Sequence, residues 1–286
     1  GTSCQLAVSP SCLLFWYIRK AHHLPSNQVT KIERLTDHDM SKRPPTTATT
    51  MELGHFEMEP FSGEVDMNRV AILIIDMQID FLMPGGFGEG LGNDIVKLHK
   101  AIQPCKNVLM AAREANVLVL HTREGHRADM TDLLPHKRLR LGHKKQVIGS
   151  EGPNGKILLR GEKGHDIIPE LYPRKGEPVI DKPGKGSFYG TDLELILKAQ
   201  DIETLVVMGV TTEVCVHTTV REANDRGFHC IVISDACASF FDDFHEMALR
   251  MITAQGGIFG SVTNSATIIQ AFSAIGRKGE EKKGSD

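Results

Sequence analysis

The chain has 286 residues, with 33 Lys and Arg against 36 Asp and Glu, a formal charge of −3, and 41% hydrophobic residues. This is the mix of a globular protein long enough to build its own core, and it is too acidic to draw the chain to nucleic acid or anionic lipid by charge. The six cysteines, at 4, 12, 105, 215, 230 and 237, include no C-x-x-C pair, which argues against a disulfide framework or zinc knuckle and for free thiols in a reducing compartment.

The longest apolar run near the start, Cys12 to Ile18, is followed by Arg19 and Lys20. It is far shorter than the roughly 20 residues a membrane span needs, and its positive charge follows the run where a secretory signal would carry it in front. The first 50 residues hold six Lys and Arg against three Asp and Glu. A cytoplasmic location is expected, with a mitochondrial destination for this extension left open. Residues 21–66 are polar and patternless and read as linker, and residues 277–286 read as a charged, frayed tail. The folded unit is expected over 67–276, with residues 1–66 as a poorly ordered extension. No internal repeat stands out.

Within that unit, Val70-Ala71-Ile72-Leu73-Ile74-Ile75 is a continuous apolar run, the pattern of a strand buried on both faces. Val117–Leu120, Pro178–Ile180, Leu205–Met208 and Cys230–Ile233 repeat it, and Gly257–Phe259 reads as a short sixth strand. Helical spacing falls between them. One helix is expected over Asp94–Ala115, and one begins at the capping-box sequence Thr191-Asp192-Leu193-Glu194. Others are expected over Thr212–Arg226 with Gly227 as C-terminal cap, over His245–Gln255 and over Ala266–Ala274. Residues 125–178 read as loops and a short helix covering one sheet edge. Strand and helix alternate, so the fold expected is a three-layer α/β/α architecture around a mostly parallel, Rossmann-like sheet.

In such sheets ligands bind beyond the carboxyl ends of the strands. That rule selects Asp76 after the first strand, Lys182 after the third, and Gly209-Val210-Thr211-Thr212-Glu213-Val214-Cys215 after the fourth. Cys215 falls in the first turn of a helix, whose positive end, with a nearby lysine, is expected to lower the thiol pKa. Asp76 can carry the proton, and backbone N–H groups of the turn can hold an oxyanion. Together they allow acyl transfer through a thioester. Taken singly, a helical Cys, a strand-end Asp and a loop Lys each fit packing or capping as well; their joint placement is what raises them.

These segments resemble the isochorismatase-like cysteine hydrolases. The resemblance rests on Ile74-Ile75-Asp76-Met77-Gln78-Ile79-Asp80-Phe81, on Asp181-Lys182-Pro183-Gly184-Lys185-Gly186-Ser187-Phe188-Tyr189-Gly190-Thr191, and on Gly209 to Val216. It implies a catalytic triad of Asp76, Lys182 and Cys215, a cis peptide between Val210 and Thr211, and an oxyanion hole from the Thr211 and Cys215 amides. Within the family, the stretches 122–127, 182–191, 217–228 and 255–260 resemble its biuret-hydrolysing members. That implies hydrolysis of biuret to allophanate and ammonia, with Lys185 and Gln255 bonding the substrate and Phe81, Phe188 and Tyr189 walling the pocket. Ureidoacrylate and N-carbamoylsarcosine remain alternative substrates, and a non-catalytic interaction protein on the same fold remains an alternative class. The resemblance also implies a homo-oligomer, tetramer or dimer.

Other signals carry less. The glycine-rich loop Pro84–Gly92 lacks the register of a phosphate-binding loop and is expected to be a flexible cover over the site. His121 and His126 lack the acid-and-histidine partners of a metal site, so no metal and no cofactor are expected. His217 sits too close to Cys215 along one helix to form a dyad with it, and His245 reads as a helix start. Arg138, Arg140, Lys144 and Lys145 read as a solvated basic face.

Overall fold

The computed structural model describes residues 53–140 and 147–283. Residues 1–52 of the expected extension, and Lys144 and Lys145 of the basic cluster, lie outside them.

Six parallel strands form the central sheet in the order β10-β9-β8-β3-β4-β7. They are β3 (Val70–Ile75), β4 (Leu118–Glu124), β7 (Val179–Lys182), β8 (Thr204–Val210), β9 (His229–Ala238) and β10 (Ser261–Thr263). The expected three-layer α/β architecture is present. Every residue of β3 is buried, yet its side chains still alternate. Val70, Ile72 and Ile74 join one apolar cluster, with Cys105, Val108 and Leu109 of α4 (Ile102–Glu114) and Ile268 and Phe272 of α9 (Ser265–Lys283). Ala71, Leu73 and Ile75 join the opposite one, with residues of α6 (Leu193–Ala199), α7 (His217–Asp225) and α8 (Asp242–Gly257). Helices on both faces explain why these strands read as unbroken hydrophobic runs. Among the described residues, no helix is long and apolar enough to cross a membrane.

Several elements differ from the sequence reading. Residues expected as linker form a hairpin, β1 (Leu53–Phe56) with β2 (Gly63–Asp66), in which Phe56 is fully buried. The expected helix over Asp94–Ala115 is split into α3 (Val96–His99) and α4. Pro104, in the first turn of α4, has no N–H to return to Lys100 and so cannot join them. The sixth strand is Ser261–Thr263 rather than Gly257–Phe259; β10 pairs with β9 on one side, and on the other Val262 exchanges two backbone hydrogen bonds with Glu59. Thr191 does cap α6, accepting from the Leu193 N–H at 3.3 Å, but Glu194 reaches Arg226 and Lys198 instead of closing a capping box. The backbone of α9 stays helical to Lys283, through most of the expected tail.

The insertion between β4 and β7 contains α5 (Pro135–Arg140), the short hairpin of β5 (Glu151–Gly152) with β6 (Gly155–Lys156), and a single turn at Pro169–Leu171. Its hydrogen bonds run to the loops beyond the carboxyl ends of β3, β4 and β7, at Gln78, His126 and Pro183. It also returns to the first loop of the sheet, where Ile79 N–H bonds Asp166, Asp80 N–H bonds Gly164, and Ile168 N–H bonds Met77. These bonds fix the loop that carries Asp76 and the turn α1 (Ile79–Leu82) after it. The glycine-rich loop is a packed wall, not an open cover. It includes α2 (Phe87–Gly90), and a Cβ on Gly88 would lie 2.8 Å from the Phe81 carbonyl.

Candidate active site

β3 connects onward to β4 on one side, whereas its other neighbour, β8, is reached from β7 at the far edge. Connections therefore leave β3 and β8 in opposite directions, and the cleft beyond their carboxyl ends is where this fold binds ligands. Asp76 and Cys215 follow these two strands. Asp76 has a φ of 50°, which breaks the strand alternation and turns its side chain into the cleft. Gly209 has a φ of 120°, and a Cβ there would stand 2.1 Å from the Ile75 carbonyl. Only glycine lets β8 run this close to the end of β3. The next peptide, Val210–Thr211, is cis, as the resemblance implied.

The cleft is charged, and the side chains at its base are buried. Asp76 and Lys182 are both fully buried, with Lys182 Nζ 2.8 Å from Asp76 Oδ2. Lys182 donates to the carbonyls of Gly184 at 3.0 Å and Lys185 at 2.9 Å. Thr122 Oγ1 donates to Asp76 Oδ1 at 2.6 Å, while Oδ2 faces the Lys182 ammonium. The same carboxylate lies within 4.8 Å of Cys215 Sγ. Against the cost of burial, Asp76, Cys215 and Glu124 hold the Lys182 ammonium above its ordinary pKa.

Cys215 sits in a π-helical turn, Thr212–Val216, that leads into α7. Thr211 O accepts from Val214 N–H at 3.1 Å and Val216 N–H at 3.2 Å. Such turns interrupt helices most often where a side chain must be placed for function. Thr219 Oγ1 donates to Cys215 O at 2.7 Å and accepts from Ser187 N–H at 3.1 Å, which joins the lysine loop to the cysteine helix. Gly186 leaves room there for the Glu222 carboxylate, which accepts from Phe188 N–H at 3.0 Å. The Cys215 thiol differs from the expectation. Burial pushes its pKa well above the ordinary value; Lys182 and Lys185 pull it down, while Asp76 and Glu124 push it up. The resting thiol is therefore protonated, beside a carboxylate able to accept its proton, rather than a standing thiolate.

Glu124, at the end of β4, escaped the sequence reading. It pairs with Lys182 across the β4–β7 register and is fully buried. Lys185 Nζ donates to both its oxygens at 2.7 and 2.8 Å, and Lys137 of α5 to Oε1 at 3.1 Å. Its Oε2 lies 3.6 Å from Cys215 Sγ. Though burial opposes it, Lys185, Lys182 and Lys137 hold the carboxyl far below its usual range, so Glu124 is a fixed anion and a poor base. Gln78 anchors this strand end, accepting from Glu124 N–H at 2.7 Å and donating to its carbonyl at 3.0 Å. The signal was present: His121-Thr122-Arg123-Glu124 continues β4, but its polarity ended the apolar run four residues early.

A cavity of about 200 Å³ opens beside Cys215, lined also by Glu124, Lys185, Thr211, Glu213, Phe81 and the aromatic residues Phe87, Phe240 and Phe241. Pockets for drug-sized ligands run from roughly 300 to 1,000 Å³, so this one is scaled to a smaller molecule. Of the residues expected to bind substrate, Lys185 and Phe81 line it. Phe188 does not; its ring stacks on Phe228 with Arg226 above it. Tyr189 does not either and is 57% exposed. Gln255 is exposed in the kink at the C-terminal end of α8. A helix leading from one parallel strand to the next runs back across the sheet, which leaves Gln255 in this chain at the amino ends, opposite Cys215.

Among the described residues, the acid, histidine and cysteine side chains that come together are Asp76, Glu124 and Cys215, with ligand atoms within 4.8 Å of one another. The Lys182 and Lys185 ammonium groups already supply the positive charge there, so the set does not fit a divalent cation. His121 pairs with Glu177, and His126 with Asp132 and Lys137. His217 accepts from Arg221 and lies outside the cavity wall. His245, expected to start a helix, lies in the first turn of α8, which begins three residues earlier at Asp242; it also bonds Thr212 Oγ1 at 2.8 Å and so braces the cysteine turn.

Residues 70–266 match the family model of the isochorismatase domain. The chain is 29% identical over 225 residues to a ureidoacrylate amidohydrolase of Azorhizobium caulinodans, an alignment covering 76% of this chain and 95% of that one. A second ureidoacrylate amidohydrolase, from Pantoea ananatis, is 27% identical over 189 residues, covering 63% and 73%. Among solved structures, a cysteine hydrolase from Pseudomonas syringae pv. phaseolicola superposes with a TM-score of 0.62 at 28% identity, covering 74% of this chain and 95% of that one. An N-carbamoylsarcosine amidase from Thermoplasma acidophilum shares the fold, with a TM-score of 0.52 at 23% identity over 69% and 96% of the two chains. With the family model spanning more than half its length, this chain is a member of the isochorismatase family of hydrolases.

Proposed function

We propose that the protein is a cysteine amidohydrolase that cleaves a small ureido or carbamoyl amide through a thioester on Cys215. One observation carries this reading: a thiol at the wall of a small cavity lies in one buried cluster with a carboxylate, Asp76, that is paired with Lys182 at 2.8 Å. Asp76 takes the thiol proton as Sγ bonds to the substrate carbonyl carbon, and Lys182 stabilises the charges that result. The Thr211 and Cys215 amides receive the oxyanion. The carbon–nitrogen bond then breaks, and Asp76 returns its proton to the departing nitrogen. Water next attacks the thioester carbonyl and gives its proton to Asp76. Sulfur leaves as the acid product forms, and the proton goes back to the thiol.

Biuret is the substrate we place first, giving allophanate and ammonia. Ureidoacrylate is the second reading, favoured by the names of the relatives. Ammonia release from biuret, ureidoacrylate and N-carbamoylsarcosine, measured side by side, tests both, and intact-mass detection of an acyl adduct on Cys215 tests the thioester. Release from none of the three would sink the reading. A non-catalytic role is separated by alkylation. Cys215 should react with iodoacetamide faster than Cys105, Cys230 and Cys237, because, of these four, it alone lines the cavity, and it has a carboxylate near it to take the thiol proton. Equal, slow labelling of all four would favour the non-catalytic role.

A further inference from the structure

We propose that the cavity selects amides that carry no negative charge, and that Glu213 sets this selection by accepting substrate N–H groups. The inference rests on the amidohydrolase reading and narrows its substrate class. A pocket for a carboxylate needs a cation with donors to spare. Among the described residues, the ammonium groups around the cavity are largely committed. Lys182 gives its donors to the carbonyls of Gly184 and Lys185 and to Asp76. Lys137 is spent on Glu124, His126 and the Pro183 carbonyl. Lys185 gives two of its three donors to Glu124, whose carboxylate also matches its charge. No arginine among the described residues lines the cavity.

What remains unspent is acceptor capacity. Five side-chain atoms among the described residues are buried without a geometrically aligned hydrogen bond, and two of them belong to this cleft: Asp76 Oδ2 and Glu213 Oε2. The first is taken up by its ion pair with Lys182. The second lies on a residue of the cavity wall, two positions before Cys215 in the π-helical turn. A buried acceptor without a partner is costly until a ligand supplies a donor. A neutral ureido compound has N–H groups on every nitrogen and answers that need. An anionic one sets its carboxylate against Glu213 and Glu124 together, and like charges at close range are strongly rejected. Discrimination of this kind, from polar groups built to be matched, is large.

The test uses the full-length protein and the variants Glu213→Gln and Glu213→Ala, with thermal melts to establish that each folds. The parent should show a kcat/KM for biuret at least about a hundredfold above that for ureidoacrylate or N-carbamoylsarcosine, since each tenfold step reflects about 1.4 kcal/mol. Glu213→Gln removes the charge at nearly constant volume. It should raise KM for biuret with little change in kcat, raise kcat/KM for the two anions, and narrow the ratio at least about tenfold. Glu213→Ala, which opens space as well, separates loss of the acceptor from a simple change of shape. Binding is read independently of turnover through protection of Cys215 from iodoacetamide: biuret should protect the parent and the two anions should not. A parent that prefers either anion, an unchanged ratio in Glu213→Gln, or equal protection by all three compounds would overturn the proposal. Absence of ammonia from every compound would sink the amidohydrolase reading alone, and the protection series would then decide the selectivity by itself, with no protection by biuret overturning it.

Discussion

At the amino ends of the strands, Arg69 pairs with Asp201 at 2.8 Å and with Glu203, and these acids are 78% and 58% exposed. At the carboxyl ends, Lys182 pairs with Asp76 at the same 2.8 Å, and neither side chain is exposed at all. The contacts are equal in length and unequal in consequence. The exposed pairs have water as an alternative partner and contribute little. The buried pair has none, so Asp76 helps hold the Lys182 ammonium in its charged form, and both depend on the carbonyls and hydroxyl that complete their bonding. The sheet thus keeps one end for stability and gives the other to a cluster of charges that folding alone would not favour, as expected where strain and desolvation serve chemistry.

Substitutions at the two ends should differ accordingly. The largest effect is expected at Cys215. Cys215→Ala should reduce amide turnover by at least about a thousandfold, while the midpoint of thermal unfolding stays close to that of the parent. Substantial residual turnover would rule out a thioester. Next comes Lys182→Met, which strands the Asp76 carboxylate without its counter-ion and should cost about 3–5 kcal/mol in urea unfolding. Adding Asp76→Asn should recover most of that stability and none of the activity. If Lys182→Met alone is as stable as the parent, the carboxyl end is wetter than its geometry indicates and the contrast between the two ends weakens.

A smaller, pH-dependent effect is expected at Asp80, just beyond Asp76. Burial raises its carboxyl to about 6, although the Leu158 N–H bond pulls it down. A folded-state value above the unfolded one means that the neutral form is favoured on folding. Its stabilising effect is complete below the ordinary value of 3.8 and is lost as pH rises through about 6. Asp80→Asn keeps an acceptor for Leu158 and removes the titration. Between pH 4 and 6 the parent should therefore lose up to about 3 kcal/mol relative to this variant. A constant difference across that range would show that Asp80 does not titrate there. The smallest effect is expected at the amino end, where Arg69→Ala should cost about 0–1 kcal/mol and leave turnover unchanged. A larger loss would make the two ends alike.

Much of this arrangement is legible in the sequence. Val70–Ile75 and Leu205–Met208 read as central strands because helices cover both their faces, so no polar residue interrupts them. Asp76, Lys182 and Cys215 follow from the rule that places ligands at the carboxyl ends, and their families of neighbours carry the resemblance. Glu124 did not follow, because a strand that ends in a polar cleft stops looking hydrophobic before it stops being a strand. The hairpin of residues 53–66 was hidden for a similar reason: only alternate residues such as Phe56 and Val65 are buried. Gln255 and Phe188 were drawn to the pocket by likeness of sequence alone. The direction of α8 carries the first away from it, and the Phe228 stack holds the second.

The linear chain was sufficient to specify the strand and helix sequence and three chemically apt groups at strand ends, since periodicity and turn residues act over a few neighbours. Tertiary structure decided which carboxylate meets one lysine and which is gripped by two, how burial and charge shift the thiol, and which aromatic rings meet the cavity. Those outcomes depend on desolvation and on partners as much as 91 positions away, as for Cys215 and Glu124, and spacing along a sequence does not encode such distances.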